Sequence, residues 1–355
     1  MMNDSLRVAI IGASGYAGAE LARLLAGHRR ASLALATASG ERAGVRLSDL
    51  FPALRGVCDI ASEELNVERI AGECDFAFIA LAHGKAMEIA PALLERGVKV
   101  CDIGADFRLR DEAVFEQWYN HAHTAPGLLS KAVYGLPEWN REKIRTARLV
   151  ANPGCYPTSA ILALAPLVAA DVIEPDSIIV DSASGTSGAG RSSFSIGMHH
   201  PEVSEDYKAY NVGTHRHTPE IEQALMDAAG DANTELRITF TAHLLPIARG
   251  ILSTSYASLK TGMDTAQVHE IFVRRYGNEP FVRVCPPGQL PQIKHVVGSN
   301  FCDIGVQVDA RTRRVIVVSA EDNLIKGAAG QAIHNMNLMC GFEETEGLRA
   351  APLFP

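Results

Sequence analysis

The sequence predicts an α/β protein built from a Rossmann-type dinucleotide-binding domain and an α+β domain with a mixed sheet. The apolar run Leu6–Ile11 leads directly into a glycine-rich turn and a helical pattern, the order found at the start of dinucleotide-binding domains. Apolar strands then alternate with helical stretches as far as residue 150, as expected of a parallel sheet. From Glu235 onward, closely spaced strands of alternating character indicate a mixed or antiparallel sheet, suited to an oligomer contact.

Composition and charge narrow the class of protein. The chain has 355 residues, which suits two domains, and its 47% hydrophobic and 21% charged residues are ordinary for a globular protein. A formal net charge of −8 without any basic cluster argues against nucleic acid as a partner. A small anionic substrate is compatible with this charge, since local arginines can bind an anion inside an acidic protein.

Cysteine usage and hydropathy favour a cytoplasmic protein. The seven cysteines include no Cys-x-x-Cys pair, which fits a reducing compartment and argues against a disulfide scaffold or a zinc site. The N-terminal residues lack the pattern of a secretion signal. The longest nearly apolar stretch, 160–173, is too short to cross a membrane. We therefore expect a cytoplasmic protein with no metal and no membrane partner.

The turn after the first strand carries a Gly-x-x-Gly-x-x-Gly spacing instead of the commoner Gly-x-Gly-x-x-Gly. Glycines let the backbone approach a pyrophosphate, whose charge lies at the N-terminus of the following helix. The sequence therefore predicts dinucleotide binding, and the alternative is a tight strand-to-helix turn without a ligand. The candidate cofactor residues in this turn are Gly12, Ser14, Gly15, Tyr16, Ala17 and Gly18.

The end of the second strand bears on the choice of cofactor. Strand 32–37 is followed by Ala38, with no acidic residue directly at its end to bind the ribose hydroxyls of NAD. Ser39 and Arg42 can instead hold a 2′-phosphate, which favours NADP. Glu41 weakens this preference, and a solvated surface charge is the alternative interpretation of Arg42.

Two later strand ends add candidate site residues. Loops after the carboxyl ends of parallel strands are where such folds bind ligands. His83 follows the strand 74–82 and Arg108 follows the strand 98–103, so both are candidates. The alternatives are a capping histidine and an arginine paired with Asp106.

The most informative stretch of the chain contains Cys155. The apolar run 149–151 indicates a strand end, a Pro-Gly pair then imposes a sharp turn, and Pro157 suits the first position of a helix. Cys155 is therefore expected just ahead of a helix N-terminus, where the positive end of the helix dipole favours thiolate over thiol. A thiolate on a tight turn is a candidate nucleophile. The alternative is that Cys155 is a small buried residue.

The second domain offers further anion ligands. A strand over 177–183 leads into the loop 184–191, whose glycines, hydroxyls and terminal Arg191 can bind an anion. A flexible linker is the alternative for this loop. Arg249, in a loop between later strands, is another candidate anion ligand.

Two histidines and a helix of small residues complete the candidates. His215 and His217 are two residues apart, but no cysteine or carboxylate cluster completes a metal-ligand set. A histidine that donates or accepts a proton beside a thiolate is the better functional interpretation, and a hydrogen-bonded structural histidine is the alternative. The helix expected from about Asn323 is rich in small residues, which permit close approach to another backbone or to a cofactor.

Together these motifs resemble the N-acetyl-gamma-glutamyl-phosphate reductase family, within the aspartate-semialdehyde dehydrogenase superfamily. The resemblance runs from residue 12 to residue 331, nearly the whole chain. The glycine motif is shared across the superfamily, whereas the Cys155, His217 and Asn323 motifs together are highly specific. The matching segments are 12–18, 105–108, 134–138, 152–157, 184–190, 215–220, 246–250 and 323–331.

The resemblance implies a reaction and roles for residues. Cys155 attacks the acyl carbon of N-acetyl-glutamyl 5-phosphate, phosphate leaves, and hydride from NADPH reduces the thioester to N-acetyl-glutamate 5-semialdehyde, a step of arginine biosynthesis. His217 is the implied acid/base. The implied substrate ligands, with no assignment of carboxylate against phosphate, are Arg108, Asn152, Arg191 and Arg249. The candidate cofactor contacts outside the glycine turn are Ser39, Arg42, His83 and Gly188, and the resemblance implies that the Asn323 helix lies near the nicotinamide.

The resemblance also implies a domain plan. An NADP-binding domain covers 1–151, a catalytic and dimerisation domain covers 152–322, and a C-terminal helix over 323–355 returns to the NADP-binding domain. The second domain is expected to form the contact of a homodimer or homotetramer. The expected partner is a small acyl phosphate, with no nucleic acid.

Three other functions stay open from the residues alone. The related reductase of lysine biosynthesis takes an aminoadipate substrate on an acidic carrier protein; the extra methylene is worth only about 1–3 kcal/mol, and the acidic net charge mildly disfavours this partner. Aspartate-semialdehyde dehydrogenase shares the chemistry but not the Cys155 and His217 motifs as they stand here. A non-catalytic NADP-binding regulator is disfavoured because both of those residues are present.

Overall fold

The chain divides into two compact units in the computed structural model, which describes residues 5–191, 195–230 and 235–353. The described part of the first unit consists of 5–153, 190–191 and 328–349. The described part of the second consists of 154–189, 195–230, 235–327 and 350–353. The main boundaries therefore follow residues 153 and 327, where the sequence predicts 151 and 322.

Six parallel strands form the sheet of the first unit: β1 (Leu6–Ile11), β2 (Ala31–Thr37), β3 (Phe76–Ile79), β4 (Lys99–Asp102), β5 (Val133–Tyr134) and β6 (Leu149–Ala151). They lie in the order β2–β1–β3–β4–β6–β5, so the order reverses between β1 and β3. Doubly wound sheets bind ligands outside the carboxyl ends of the strands at such a reversal. Here those ends lead directly into Gly12 and Ala80.

The helices of the first unit cover this sheet: α1 (Tyr16–Ala26), α2 (Leu47–Leu50), α3 (Val67–Glu73), α4 (Ala86–Glu95), α5 (Glu112–Tyr119) and α6 (Pro137–Thr146). A core of fully buried side chains joins the strands to α3, α4 and α5 through Ile70, Leu93 and Phe115. Strand β3 is apolar throughout and buried at every position, as a sheet covered on both faces requires.

Seven strands form the mixed sheet of the second unit: β7 (Ile179–Gly185), β8 (Lys208–Tyr210), β9 (Thr239–Leu245), β10 (Ile251–Ser258), β11 (Val282–Val284), β12 (Cys302–Asp309) and β13 (Arg314–Glu321). Their order is β11–β12–β13–β10–β7–β9–β8, with parallel pairs β7–β9 and β11–β12 and antiparallel pairs elsewhere. The helices of this unit are α7 (Cys155–Ala169), α8 (His200–Val203), α9 (Thr218–Ala229) and α10 (Thr265–Tyr276). The predicted fold class is confirmed.

The last helix, α11 (Gly330–Met339), belongs to the first unit and packs against α1 and α6. Asn335 Nδ2 donates to the Gly135 carbonyl at 2.8 Å, and His28 Nε2 lies 2.9 Å from Asn337 Oδ1. A π-helical turn, Ile325–Ala329, precedes α11. The helix expected from about Asn323 therefore starts later than predicted, because this wider turn comes first.

A layer of serine hydroxyls joins α7 to the sheet of the second unit. Ser253 Oγ of β10 lies 2.7 Å from Ser159 Oγ of α7 and 2.7 Å from Ser182 Oγ of β7. Ser319 Oγ donates to the Ser159 carbonyl at 3.0 Å. All four side chains are fully buried, so these bonds satisfy hydroxyls that have no access to water. Small side chains here also let α7 lie close to the sheet.

Some elements differ from the sequence prediction. Helix α7 begins at Cys155 instead of Pro157: Gly154 is its N-cap, and Pro157 fits within the first turn, whose N–H groups have no helical acceptor. The chain between β4 and β6 contains α5, β5 and α6, and the segment 195–212 contains α8 and β8. No helix in the described part of the chain is long and apolar enough to cross a membrane.

Replacing Ser253 by Ala is expected to lower the melting temperature of the full chain by several degrees, measured by differential scanning fluorimetry. The change removes the shared partner of two buried hydroxyls, at a cost of about 1–3 kcal/mol, and each kcal/mol lowers Tm by about 2–4 °C in a domain of this size. Ser258→Ala, on the partly exposed face of the same strand, is the matched control. Equal shifts for the two variants would contradict a structural role for the serine layer.

Candidate active site

The glycine turn of the first unit has room only for glycine at two positions. Gly12 has φ of +96°, and a Cβ added there would lie 2.4 Å from the Ala80 carbonyl oxygen. A Cβ on Gly18 would lie 2.5 Å from the Gly12 carbonyl oxygen. Helix α1 begins at Tyr16 with no side-chain cap from Gly15 and no acidic residue in its first turn. The turn therefore fits the pyrophosphate of a dinucleotide, at the strand-order reversal where the fold binds ligands.

The other predicted cofactor residues of the first unit lie at neighbouring strand ends. Ser39 is exposed and is the N-cap of a short 3₁₀ turn, Gly40–Arg42, directly after β2. Arg42 is half-buried, and no carboxylate comes between Thr37 and Ser39. His83 is exposed in the turn after β3, with its ring centroid 5.7 Å from that of Tyr119.

Arg108 is buried and holds the carboxyl ends of two strands together. Its Nε donates to the Asn152 carbonyl at 2.9 Å after β6, and Nη2 donates to the Ile103 carbonyl at 2.8 Å after β4. Asp106 accepts hydrogen bonds from the Gly84 and Met87 amides at the start of α4. Arg108 thus has a positioning role that its place in the sequence does not reveal.

Asn152, also a predicted substrate ligand, is fully buried in the first unit. Its Nδ2 donates to the Ala328 carbonyl at 3.2 Å, and its Oδ1 accepts a hydrogen bond from Asn335 Nδ2 at 3.0 Å. The side chain therefore links the end of β6 to the segment that leads into α11.

Asp102, at the end of β4, is a fully buried carboxyl group that is not among the predicted site residues. Its Oδ1 accepts a hydrogen bond from the Gly104 amide at 2.8 Å. Burial, and then the nearby Asp106 carboxylate, raise the pKa of Asp102 to about 7. This carboxyl group therefore changes its charge near neutral pH.

In the second unit, Cys155 is the first residue of α7, a helix of 15 residues. The Gly154 amide just before it donates to Glu220 Oε1 at 2.8 Å. Glu220 is only 1% exposed and lies in the first turn of α9, which packs against α7. The positive end of α7 is therefore directed at the Cys155 thiol, and a buried carboxylate fixes the turn that carries it.

The two predicted histidines lie next to each other at the start of α9, and burial changes the pKa of His215. His217 is the N-cap of α9, and its amide donates to Nδ1 of His215 at 3.1 Å. Burial, and then the Arg216 charge, lower the pKa of His215 to about 4, so His215 is neutral at physiological pH. The Tyr156 ring lies 5.9 Å from the His217 ring, which places His217 beside the start of α7. Of the two, His217 is the better placed to transfer a proton.

Two tyrosine rings pack against the two histidines, Tyr156 against His217 and Tyr210 against His215. Tyr156 Oη lies 2.9 Å from Tyr210 Oη and donates to the His243 carbonyl at 3.1 Å. Burial raises the pKa of Tyr156 and raises that of Tyr210 to about 12. Both phenols therefore remain neutral and act as hydrogen-bonding groups.

The π-helical turn approaches Cys155 directly. A Cβ added to Gly327 would lie 2.7 Å from the Cys155 Cβ and 2.9 Å from Glu321 Oε1. Only glycine at this position permits the contact. π-Helical turns occur often at functional sites, and this one confines the side chain of Cys155.

Asn323 and the loop after β7 meet within the second unit. Asn323 Nδ2 donates to Ser187 Oγ at 2.9 Å, and its Oδ1 accepts a hydrogen bond from the Gly250 amide at 2.7 Å. A Cβ on Gly188 would lie 3.7 Å from Asn323 Nδ2. The predicted cofactor residues Gly188 and Asn323 are therefore brought together here.

The other two predicted anion ligands lie in different units, Arg249 in the second and Arg191 in the first. Arg249 Nε lies 3.2 Å from Oδ2 of Asp322, a fully buried carboxylate that also accepts a hydrogen bond from the Gly298 amide. The Arg249 charge is therefore engaged within the protein. Arg191 belongs to the first unit, where its Nη1 donates to the Ser14 carbonyl at 3.2 Å.

The site residues predicted from the sequence do not include Glu220, Gly327 or Asp102. The sequence offers one indication of Glu220, because it lies three residues after His217 at the start of a predicted helix. The roles of Gly327 and Asp102 are visible only from how the folded chain packs. All seven cysteines are free thiols, and no group of three or more His, Cys, Asp or Glu side chains in the described ranges can hold a metal ion.

Comparison with known proteins defines the class of this chain first. Residues 7–147 match the family model described as semialdehyde dehydrogenase, NAD binding domain, and residues 155–323 match the model described as semialdehyde dehydrogenase, dimerisation domain. Among solved structures, aspartate semialdehyde dehydrogenase II of Vibrio cholerae has a TM-score of 0.71 at 17% identity, covering 95% of this chain and 99% of that one. The Candida albicans enzyme with NADP has a TM-score of 0.70 at 17% identity, with the same coverage. These two structures share the fold.

Sequence relatives place the chain within that class. It is 54% identical over 353 residues to a protein of Symbiobacterium thermophilum and 53% identical over 351 residues to one of Pelotomaculum thermopropionicum, both named N-acetyl-gamma-glutamyl-phosphate reductase. Each match covers 99% of this chain and 100% of the relative. The chain belongs to the N-acetyl-gamma-glutamyl-phosphate reductase family.

Replacing Asp102 by Asn is expected to raise the melting temperature at pH 8.5 and to raise it clearly less at pH 5. The raised pKa of about 7 means that the folded protein carries a disfavoured buried charge above pH 7, whereas the unfolded chain ionises at its ordinary value. Between those two values the unfolded carboxyl group is ionised while the folded one is protonated, so the destabilisation of the parent chain grows with pH, and above the folded value it is constant.

Asp75→Asn is the control for this experiment, and its expected change in melting temperature at pH 8.5 has the opposite sign. Hydrogen bonds from Arg7 lower the pKa of Asp75, so its carboxylate stabilises the fold at high pH and this contribution is lost as pH falls through the folded value. The Asp75 variant should therefore melt at a lower temperature at pH 8.5. A Tm difference for Asp102→Asn that does not vary with pH would contradict the raised pKa.

Proposed function

We propose that this chain reduces N-acetyl-L-glutamyl 5-phosphate to N-acetyl-L-glutamate 5-semialdehyde with release of phosphate, using NADPH, as a step of arginine biosynthesis. The observation that carries the proposal is Cys155 at the first position of α7, with Glu220 on the preceding amide and His217 beside the same helix end. The relatives at 54% and 53% identity carry the name of this activity.

Cys155 is the proposed nucleophile. Its thiolate attacks the acyl carbon, a C–S bond forms, the C–O bond to phosphate breaks, and inorganic phosphate leaves with the electron pair. The product is a thioester on Cys155. The N-terminus of α7 favours the thiolate, while Glu220 and Gly327 restrict where it lies. Covalent catalysis separates loss of phosphate from the reduction, so each step is easier than a single concerted reaction.

His217 is the proposed acid/base. It accepts the thiol proton of Cys155 before attack and donates a proton to the oxygen that carries negative charge when the thioester is reduced. His215 is poorly suited to this role near neutral pH, because a pKa of about 4 makes the ring a weak base that carries no extra proton to donate. Its Nδ1 also accepts the His217 amide. When the thiohemiacetal collapses, His217 takes back the hydroxyl proton, the C–S bond breaks, the aldehyde is released and the Cys155 thiolate returns.

NADPH is the proposed cofactor, and when bound it supplies the hydride that reduces the thioester. Gly12 to Gly18 and the N-terminus of α1 would hold its pyrophosphate, with Ser39 and Arg42 at its 2′-phosphate. We assign Gly188 and Asn323 to the same cofactor from their family motifs and from the contact between them. We assign His83 to it from its position after the carboxyl end of β3.

Three of the predicted substrate ligands are proposed to act through the backbone they hold. Arg108 and Asn152 fix the ends of β4 and β6 in the first unit. Arg249 pairs with Asp322, whose neighbour Asn323 binds the Gly250 amide. Arg108 and Asn152 therefore order strand ends of the first sheet, and Arg249 orders the loop between β9 and β10.

A homodimer or homotetramer is the proposed assembly, with the mixed sheet of the second unit as the contact. Leu252, Thr254 and Tyr256 project from one face of β10 and are only partly buried, while the alternate residues face the covered side. A sheet face of mixed apolar and hydroxyl side chains suits contact with another copy of the chain. The dimerisation-domain model over 155–323 supports this assignment.

Replacing Cys155 by Ser is expected to reduce turnover by about 10³-fold or more, because the hydroxyl is a far weaker nucleophile at neutral pH. The assay is phosphate-dependent reduction of NADP by N-acetyl-glutamate 5-semialdehyde, followed by absorbance at about 340 nm. The same reaction is measured with NAD in place of NADP. Cys58→Ser, at a half-buried cysteine of the first unit, is the matched control and should retain activity.

The outcomes of this assay separate substrate from mechanism. Turnover only with the aminoadipate or aspartate analogue would keep the role of Cys155 and replace the proposed substrate. Full activity of Cys155→Ser would contradict the nucleophile and with it the proposed mechanism.

A further inference from the structure

Arg191 lies against the glycine turn of the first unit. Its Nη1 donates to the Ser14 carbonyl at 3.2 Å, and its Nη2 donates to the Leu50 carbonyl at 3.4 Å, where α2 ends. The guanidinium carbon lies 4.4 Å from the centroid of the Phe51 ring. These contacts hold the planar group in one orientation beside the turn, and the residue is partly exposed.

The electrostatic surroundings of Arg191 are unfavourable for a cation without a counter-ion. Ser14 is two residues before the start of α1, so the guanidinium lies near the positive end of that helix. The first turn of α1 contains no acidic residue. The two bonds of Arg191 to protein go to carbonyl oxygens, and among the described residues no carboxylate forms an ion pair with it. An anion that binds both the Arg191 guanidinium and the N-terminus of α1 would stabilise this arrangement.

We propose that Arg191 is a cofactor-binding residue, whose guanidinium binds the pyrophosphate of the dinucleotide together with the N-terminus of α1. This inference rests on the proposed function, which requires a bound dinucleotide. It changes the role implied by the family resemblance, in which Arg191 is a ligand of the substrate carboxylate or phosphate. The change follows from the unit in which the side chain lies and from the carbonyl to which it donates.

The pyrophosphate is a better assignment than the 2′-phosphate. Arg191 donates to Ser14 within the glycine turn, which is where the pyrophosphate approaches the backbone. The 2′-phosphate belongs at the end of β2, where Ser39 and Arg42 are found. Arg191 should therefore contribute equally to the binding of NADPH and NADH, while Arg42 should contribute to NADPH alone.

The guanidinium group is required, and positive charge alone is not enough. Stacking on Phe51 and donation to two carbonyls use the planar, forked geometry of arginine, which a lysine ammonium lacks. Arg191→Lys should therefore bind both dinucleotides more weakly than the parent protein does, although its charge is unchanged.

The test is direct binding of NADPH and NADH to the full chain without substrate, measured by the change in nicotinamide fluorescence. Arg191→Gln is expected to weaken both dissociation constants by a similar factor of about 10 to 100, the range for loss of a charge-assisted hydrogen bond. Arg42→Gln should weaken NADPH only. Arg55→Gln, at an exposed arginine of the same unit, is the control and should change neither. In steady state, Arg191→Gln should raise the KM for NADPH and leave the KM for the acyl phosphate unchanged.

Each other outcome overturns the inference in a distinct way. Unchanged binding of both dinucleotides with a raised KM for the acyl phosphate would return Arg191 to the substrate. Loss of NADPH affinity without loss of NADH affinity would assign it to the 2′-phosphate. If the parent protein binds neither dinucleotide, the proposed function itself fails. Binding to the parent protein is measured first, so this result is distinguished from a failure of the Arg191 proposal.

Discussion

The position of the α7 N-terminus is the constraint on which the rest of the site depends. Cys155 is its first residue, so the helix axis decides where the sulfur can lie. Glu220 fixes the preceding amide, Gly327 limits the side chain from the π-helical turn, and the buried serine layer sets the distance of α7 from its sheet.

Two elements of the site were predictable because their signals are local. Gly12 and Gly18 reveal the dinucleotide turn, since only glycine satisfies the backbone contacts that the turn makes. Cys155 is recognisable from a strand end, a Pro-Gly pair and a helix pattern that occupy consecutive residues. The parallel sheet was predictable in the same way, from short apolar strands such as β3 that alternate with helices.

Other features were not predictable because they arise between distant parts of the chain. Glu220 is 66 residues from the glycine it binds, and only the packing of α9 on α7 brings them together. Arg249 resembles a free anion ligand in the sequence, but the fold places buried Asp322 against it. Helix α7 starts two residues before Pro157, the predicted first residue. A proline is tolerated throughout the first helical turn, so Pro157 does not mark the first residue of the helix.

The central claim is that Cys155 carries the substrate acyl group during turnover. The most direct measurement is mass spectrometry of the chain after incubation with N-acetyl-glutamyl 5-phosphate in the absence of NADPH, followed by an acid quench. We predict one N-acetyl-glutamyl group on the peptide that contains Cys155, formed with release of phosphate and missing from Cys155→Ser. An unmodified Cys155 peptide, or the same modification in the serine variant, would contradict the thioester mechanism.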